Sequence, residues 1–290
     1  MDALEGYSAP TNESTAITRP HVPSIIIEVC VDSVESALAA VRGGADRLEI
    51  CGNLGLGGGT TPSAGLVRMV KKNCPGHVSL MAMVRPRTGD FVYSESELSV
   101  MLEDIATFAQ IGINGVVLGA LTPDASIDVA STTLLAQAAC EAGLEVCFHR
   151  AFDMVKYQEE ALHSVRDIAG ITRLLTSGGG PSAPAYLGSV ARLAEVLHVY
   201  PGRSVSLMPG SGINAQNVQQ VLRALLPFGV REVHLSGGSW ADNRMQFRRQ
   251  GMGMGVGEQG EWGVWRTSED VVREVRRLVD EEWARSGLEA

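Results

Sequence analysis

Glu28-Val29-Cys30 and Glu49-Ile50-Cys51 repeat one pattern, each closing an apolar run. Strand side chains two residues apart share a face, so each run points a carboxylate and a thiol the same way. A carboxylate can move a proton, and a thiolate can hold a soft metal ion. Brought together, the four groups offer acid-base or metal chemistry. Further polar groups stand at the ends of later apolar runs: Arg85 and Arg87, then His149, Arg150 and Asp153, then Ser177, then His234 and Ser236.

The segment joining the two repeats reads as a helix. Asp32 and Glu35 make a capping box, Val34, Ala37, Leu38 and Val41 an apolar stripe, and Gly43-Gly44 a stop. Strand, helix, strand makes the two strands parallel neighbours. The pattern continues through eight strand candidates: Ile25–Val31, Arg47–Cys51, Val78–Arg85, Gly115–Leu118, Glu145–Arg150, Arg173–Thr176, Val205–Pro209 and Glu232–Ser236. Between them lie further helix signals. Pro62 is expected at a first helical position after Thr61, Ser94 and Glu97 form a second capping box, and Leu134, Leu135, Ala138 and Ala139 stop at Gly143. Ala161, Leu162, Val165 and Ile168 stop at Gly170, Asn214 is expected to cap a helix carrying Val218 to Leu225, and a last helix starts near Ser268. The spacing predicts one (β/α)8 TIM-type barrel over residues 24–290, with an open doubly wound sheet as the alternative. Residues 1–23 are polar and are expected to be a disordered leader. Gly237–Thr267, with Gly-Met-Gly-Met-Gly at its centre, is expected to be a long loop acting as lid or interface. Met252 and Met254 within it read as flexible packing rather than as soft ligands.

A barrel gathers its strand carboxyl ends on one face. That placement nominates Glu28 or Glu49 as base and His149 as acid, with Arg85 and Arg150 holding an anion. Cys30 and Cys51 become candidate metal ligands. Gly210, Ser211 and Gly212 after the seventh strand, and Ser236 and Gly237 after the eighth, can bind an anion through backbone N–H groups. The plainer reading is an ion-pair network of Glu28 and Glu49 with Arg85 and Arg150, filling the barrel top. Cys74, Cys140 and Cys147 read as packing residues. The lysines, Lys71, Lys72 and Lys156, lie off the strand ends, which argues against Schiff-base chemistry.

The bulk composition narrows the function classes. A net charge of -9 without a basic tract argues against a nucleic-acid partner. No apolar run is long enough to span a bilayer, and the first residues lack the order of a signal peptide. Five scattered cysteines without a CxxC pair point to reduced thiols and an intracellular, cytoplasmic protein.

Several ordered blocks carry a family resemblance. They are Glu28–Ala37, Gly43–Cys51, Arg85–Phe91, Phe148–Asp153, Leu175–Gly178, Glu232–His234 and Met245–Arg248. Together they closely resemble the CutC-type copper homeostasis family, from about Ile25 to Arg248. The resemblance implies a TIM-type barrel, a homo-oligomer, and Cu(I) bound at two thiols that fall on Cys30 and Cys51, with nuclear presence left open beside the cytoplasm. One block departs from the pattern. After Cys51 the family's Gly-Leu-Ser-Glu-Gly-Gly turn becomes Gly52–Gly59, which is longer and lacks the acid. The expected function is therefore copper homeostasis. The alternatives are an enzyme acting on a small anionic or phosphorylated metabolite and a non-catalytic oligomeric scaffold.

Overall fold

Eight parallel strands form the centre of the computed structural model, which describes residues 25–199, 204–242, 244–249 and 251–288. The leader expected over 1–23 lies outside the described residues. The strands are β1 Ile26–Val31, β2 Arg47–Ile50, β3 Ser79–Met83, β4 Gly115–Leu118, β5 Glu145–Phe148, β6 Ile171–Thr176, β7 Ser206–Pro209 and β8 Glu232–Leu235. Their order is β7-β6-β5-β4-β3-β2-β1-β8, every hydrogen-bonded pair being parallel. β7 and β8 lie side by side without a ladder, so the ring closes by packing along one seam. This is the (β/α)8 barrel, and the open-sheet alternative falls.

Helices alternate with the strands: α1 Val34–Gly43, α2 Ala64–Asn73, α3 Glu95–Ile111, α4 Val129–Glu141, α5 Gln158–Asp167, α6 Leu187–Val199, α7 Val218–Leu225 and α8 Glu269–Ser286. Their starts follow local hydrogen bonding. At α3 the box forms as expected, with Ser94 and Glu97 satisfying each other's backbone N–H groups. At α1 the cap is Ser33 rather than Asp32, its Oγ accepting from Ser36 N at 3.2 Å. Ser63 caps α2, which leaves Pro62 just before the helix. Asn214 folds a turn ahead of α7, its Oδ1 accepting from Gln216 N at 2.9 Å, and the helix starts after Asn217. Helix α6, which no cap signal announces, is held by the buried Val190, Leu193 and Ala194.

Alternation along the strands builds two apolar clusters. Ile27, Val29 and Val31 face outward and join the large core under the helices. Cys30 faces inward and meets Cys51, Met81, Met83, Val117, Cys147, Leu175 and Met208 in a smaller interior cluster. Cys147 thus shares the barrel interior with the two candidate thiols.

Beside this cluster the interior is charged. Arg47 Nε donates to Glu28 Oε2 at 2.5 Å, and its Nη2 donates to Glu232 Oε2. Arg173 bridges Glu232 and Glu145. An ion-pair network does exist, but Arg85 and Arg150 take no part in it. Register explains the difference, because Glu28 pairs across the sheet with Arg47 on one side and His234 on the other.

The long segment after β8 is not structureless. β9 Gly238–Ala241 and β10 Val264–Thr267 pair antiparallel, with Trp240 opposite Trp265 and their rings 5.5 Å apart, edge to face. Thr267 N donates to Ser36 Oγ at 3.1 Å, which ties the ribbon to α1. Met252 and Met254 lie exposed on the excursion between the two strands. Among the described residues, no helix is long and apolar enough to cross a membrane.

Candidate metal centre and ligand cavity

Three adjacent strands bring three donors together. Cys30 on β1 stands opposite Glu49 on β2, and Glu28 on β1 stands opposite His234 on β8. One donor atom each from Cys30, Glu49 and His234 lies within 4.8 Å of the other two, and all three residues are buried. Cys51 is one hydrogen bond away, its Sγ donating to Glu49 Oε2 at 3.4 Å. Both candidate thiols therefore point into the barrel. The sequence nominated Cys30 and Cys51 as the metal pair; the compact donor group instead includes His234 and Glu49. His234 was visible as a polar strand-end residue, but its partnership with Cys30 depends on β8 pairing with β1.

The electrostatics of this cluster follow from burial and close charges. Burial alone would raise Glu28, but the Arg47 charge and the His234 hydrogen bond outweigh it and hold the carboxyl at about 2. Burial dominates at Glu49 and raises it to about 7, helped by the charge of Glu28 and opposed by His234. Burial opposes a charged His234, yet the Cys30 sulfur and the two carboxylates raise its pKa well above the ordinary value. Burial raises both thiols, Cys51 further because Glu49 is beside it. Glu28 is thus held as a carboxylate facing His234, and burial disfavours the thiolate form of both cysteines.

A thiolate, an imidazole and a carboxylate can hold a soft or borderline metal ion, and a cavity on the open side leaves room for another ligand. Glu49 Oε1 fits this reading, being buried without a hydrogen-bond partner among the described residues. Gly59, at φ +68°, packs over Cys51; a Cβ added there would stand 2.8 Å from Cys51 Cβ and 2.9 Å from Sγ. The altered turn after Cys51 thus supplies a glycine where a side chain would strike the thiol.

Above the donors opens a cavity of about 810 Å³ at the strand carboxyl ends, reached by Cys30, Glu49, Arg85, His149, Arg150 and His234. Arg150 Nε donates to Asp153 Oδ2 at 2.8 Å. Asp153 is itself pinned by Thr176 Oγ1 at 2.6 Å, Ser177 N at 3.0 Å and Gly179 N at 3.1 Å. Arg85 donates to Gly59 O at 3.0 Å and Gly89 O at 3.1 Å, its guanidinium 4.9 Å over the Phe91 ring. Burial and the Arg85 charge lower His149 to about 3, so it is a neutral imidazole.

The glycine loops divide. Ser211, Gly212, Ser236 and Gly237 line the cavity. Gly210 lies beneath it, its N–H donating to Thr176 O at 3.0 Å. A Cβ at Gly210 would come within 2.5 Å of Leu175 Cδ1 and 3.3 Å of His234 Cβ, so close packing accounts for this glycine.

The sequence model of the CutC family matches residues 25–239. A family protein CutC of Chromobacterium violaceum is 40% identical over 255 residues, covering 88% of this chain and 98% of that protein. One of Vibrio cholerae serotype O1 is 42% identical over 248 residues, covering 86% of this chain and 93% of the relative. The crystal structure of CutC from Streptococcus agalactiae superposes with a TM-score of 0.65 at 30% identity, over 73% of this chain and 98% of that one. With its eight-stranded barrel and its length matched almost from β1 to β9, this chain belongs to the CutC family.

Proposed function

We propose that this chain is a copper homeostasis protein that binds Cu(I) at the cavity floor, with Cys30 and Cys51 as thiolate ligands and His234 as an imidazole ligand. The observation that carries the reading is the buried convergence of Cys30, Glu49 and His234, with Cys51 bonded to Glu49. Cu(I) is soft and favours sulfur, so the Glu49 carboxylate serves to accept the Cys51 proton rather than to bind the ion, the Cys30 proton leaving to solvent. The Streptococcus agalactiae relative is named for copper homeostasis, which agrees with this reading. All five cysteines are free thiols, which suits a reducing cytoplasm. The family resemblance adds a homo-oligomer, which light scattering measures directly. Anaerobic Cu(I) titration against a chromophoric chelator tests the metal reading. One tightly held equivalent is expected, lost in the Cys30→Ser, Cys51→Ser double variant and weakened in His234→Gln. Unchanged stoichiometry in the double variant rejects the thiol site.

A second reading rests on Glu49. A buried carboxyl with a pKa of about 7 at the floor of a cavity is matched to proton transfer at neutral pH. In an enzyme of this kind Glu49 is the acid-base group, and the proton donor is His234 rather than the neutral His149. Glu49→Gln is then expected to abolish turnover of a small anionic metabolite while leaving its binding intact. Turnover surviving in Glu49→Gln removes this reading.

A further inference from the structure

Arg85 is a buried cation that the fold leaves uncompensated. It is 7% exposed, and its hydrogen bonds go to two backbone carbonyls. No carboxylate of the described residues forms an ion pair with it; nearby Asp90 and Glu97 are bound to Arg87 instead. A buried charge without a counter-charge is costly, and a ligand of opposite sign removes that cost. Its Nε is also without a hydrogen-bond partner among the described residues.

His149 adds a second idle donor. Its Nδ1 accepts from Ala151 N at 3.3 Å, which places the ring proton on Nε2. That Nε2 is buried and likewise lacks a partner among the described residues. Phe91 touches both groups, stacking under Arg85 at 4.9 Å and meeting the His149 ring edge to face at 4.9 Å. Arg85 and His149 both line the cavity, so one unpaired positive charge and two unfilled donors just beneath the surface belong to the same wall. Arg150 does not add to the charge, because Asp153 neutralises it.

We infer that the cavity takes a small molecule with a single anionic head, a carboxylate or a phosphate monoester, seated on Arg85 beside His149, and an uncharged apolar body. The body lies along Phe91, Leu175 and Trp265, all of which line the cavity. One head rather than two follows from the single uncompensated guanidinium. The inference identifies the ligand class for the acid-base reading and does not depend on copper. The head sits on Arg85, which leaves the body to reach the Cys30, Glu49 and His234 floor.

Calorimetric titration of the metal-free protein tests this, with inorganic phosphate, phenyl phosphate, phenylpyruvate and benzyl alcohol as probes. Saturable binding of phenyl phosphate or phenylpyruvate is expected, phosphate alone weaker and benzyl alcohol weakest. Comparison of the two aromatic anions separates the phosphate head from the carboxylate head. Arg85→Gln is expected to weaken the bound anion at least tenfold, while Arg87→Gln leaves it within threefold and Arg85→Gln keeps its Cu(I) stoichiometry. If neither aromatic anion binds, or if Arg85→Gln binds as the wild type does, the inference fails. Should Arg85→Gln not fold, the Arg85 Nε–H resonance of the wild type decides: it shifts on titration if the seat is correct and stays put if the anion binds elsewhere. A wild-type protein that binds the anion but takes up no Cu(I) would sink the copper reading alone.

Discussion

His234 Nδ1 lies 2.7 Å from Glu28 Oε1 while its Nε2 lies 3.8 Å from Glu49 Oε2. One imidazole therefore joins the structural ion pairs inside the barrel to the candidate metal centre. Through it, Arg47 and Glu28 set the charge that a bound ion or substrate meets.

The two glutamates respond to pH in opposite senses. Glu49 rises from the ordinary 4.5 to about 7, so its contribution to stability is present below pH 4.5 and lost as pH climbs through 7. Glu28 falls to about 2, so its contribution is present above pH 4.5 and lost as pH drops through 2. Between pH 5 and 7 the Glu49 effect lowers stability as pH rises, while His149, held neutral in the fold, raises it up to its ordinary 6.5. In urea unfolding of the metal-free proteins, the stability of the wild type relative to Glu49→Gln is expected to fall by on the order of 1–3 kcal/mol across that window. A difference between the two proteins that stays constant from pH 5 to 7 would contradict the assignment.

Arg47 stands between Glu28 and Glu232, all three buried. Arg47→Met removes the cation shared by two interior carboxylates, leaving Glu28 to His234 and Glu232 to Arg173, and a loss of about 3–5 kcal/mol in unfolding free energy is expected. A loss under 1 kcal/mol would mean that the strands reorganise around the missing charge.

Gly59 serves both backbone and site. Gly59→Ala forces an L side chain to a φ of +68° and drives its Cβ onto Cys51. The backbone cost alone is about 1–2 kcal/mol, read as a lower melting temperature. Cu(I) affinity should fall with it, whereas a variant that keeps full affinity would show that Cys51 does not bind the ion.

Copper affinity should itself depend on pH. Burial raises both thiols, and His234 holds its proton more firmly than a free histidine. Each proton displaced on binding makes the affinity rise about tenfold per pH unit. Competition titrations at pH 6, 7 and 8 measure the slope, and a pH-independent affinity would remove these residues from the ligand set.

Local pattern made much of this legible in advance. All eight strands appear in the sequence as apolar runs, and Ser94 with Glu97 announces α3 because the box involves only neighbouring residues. Partner choice was not legible. Glu28 takes Arg47 and His234, and His234 meets Cys30, through pairing between strands far apart in sequence, which no local motif encodes. Helix α6 and the β9-β10 ribbon were missed for a related reason: neighbouring structure, not capping residues, holds them. Arg85 and Arg150 looked alike in the sequence, and only Asp153 tells them apart.

The unladdered join between β7 and β8 falls outside the three consecutive strands, β8, β1 and β2, that carry the donors. If the cylinder breathes there, the sulfur, imidazole and carboxyl travel as one rigid plate, and the side bearing Ser211 and Gly212 swings relative to it. The opening would then widen without loosening the grip on an ion. Deuterium exchange is expected to run faster along Ser206–Pro209 than along Ile26–Val31, and equal protection of the two would mean a cylinder as stiff at its join as elsewhere.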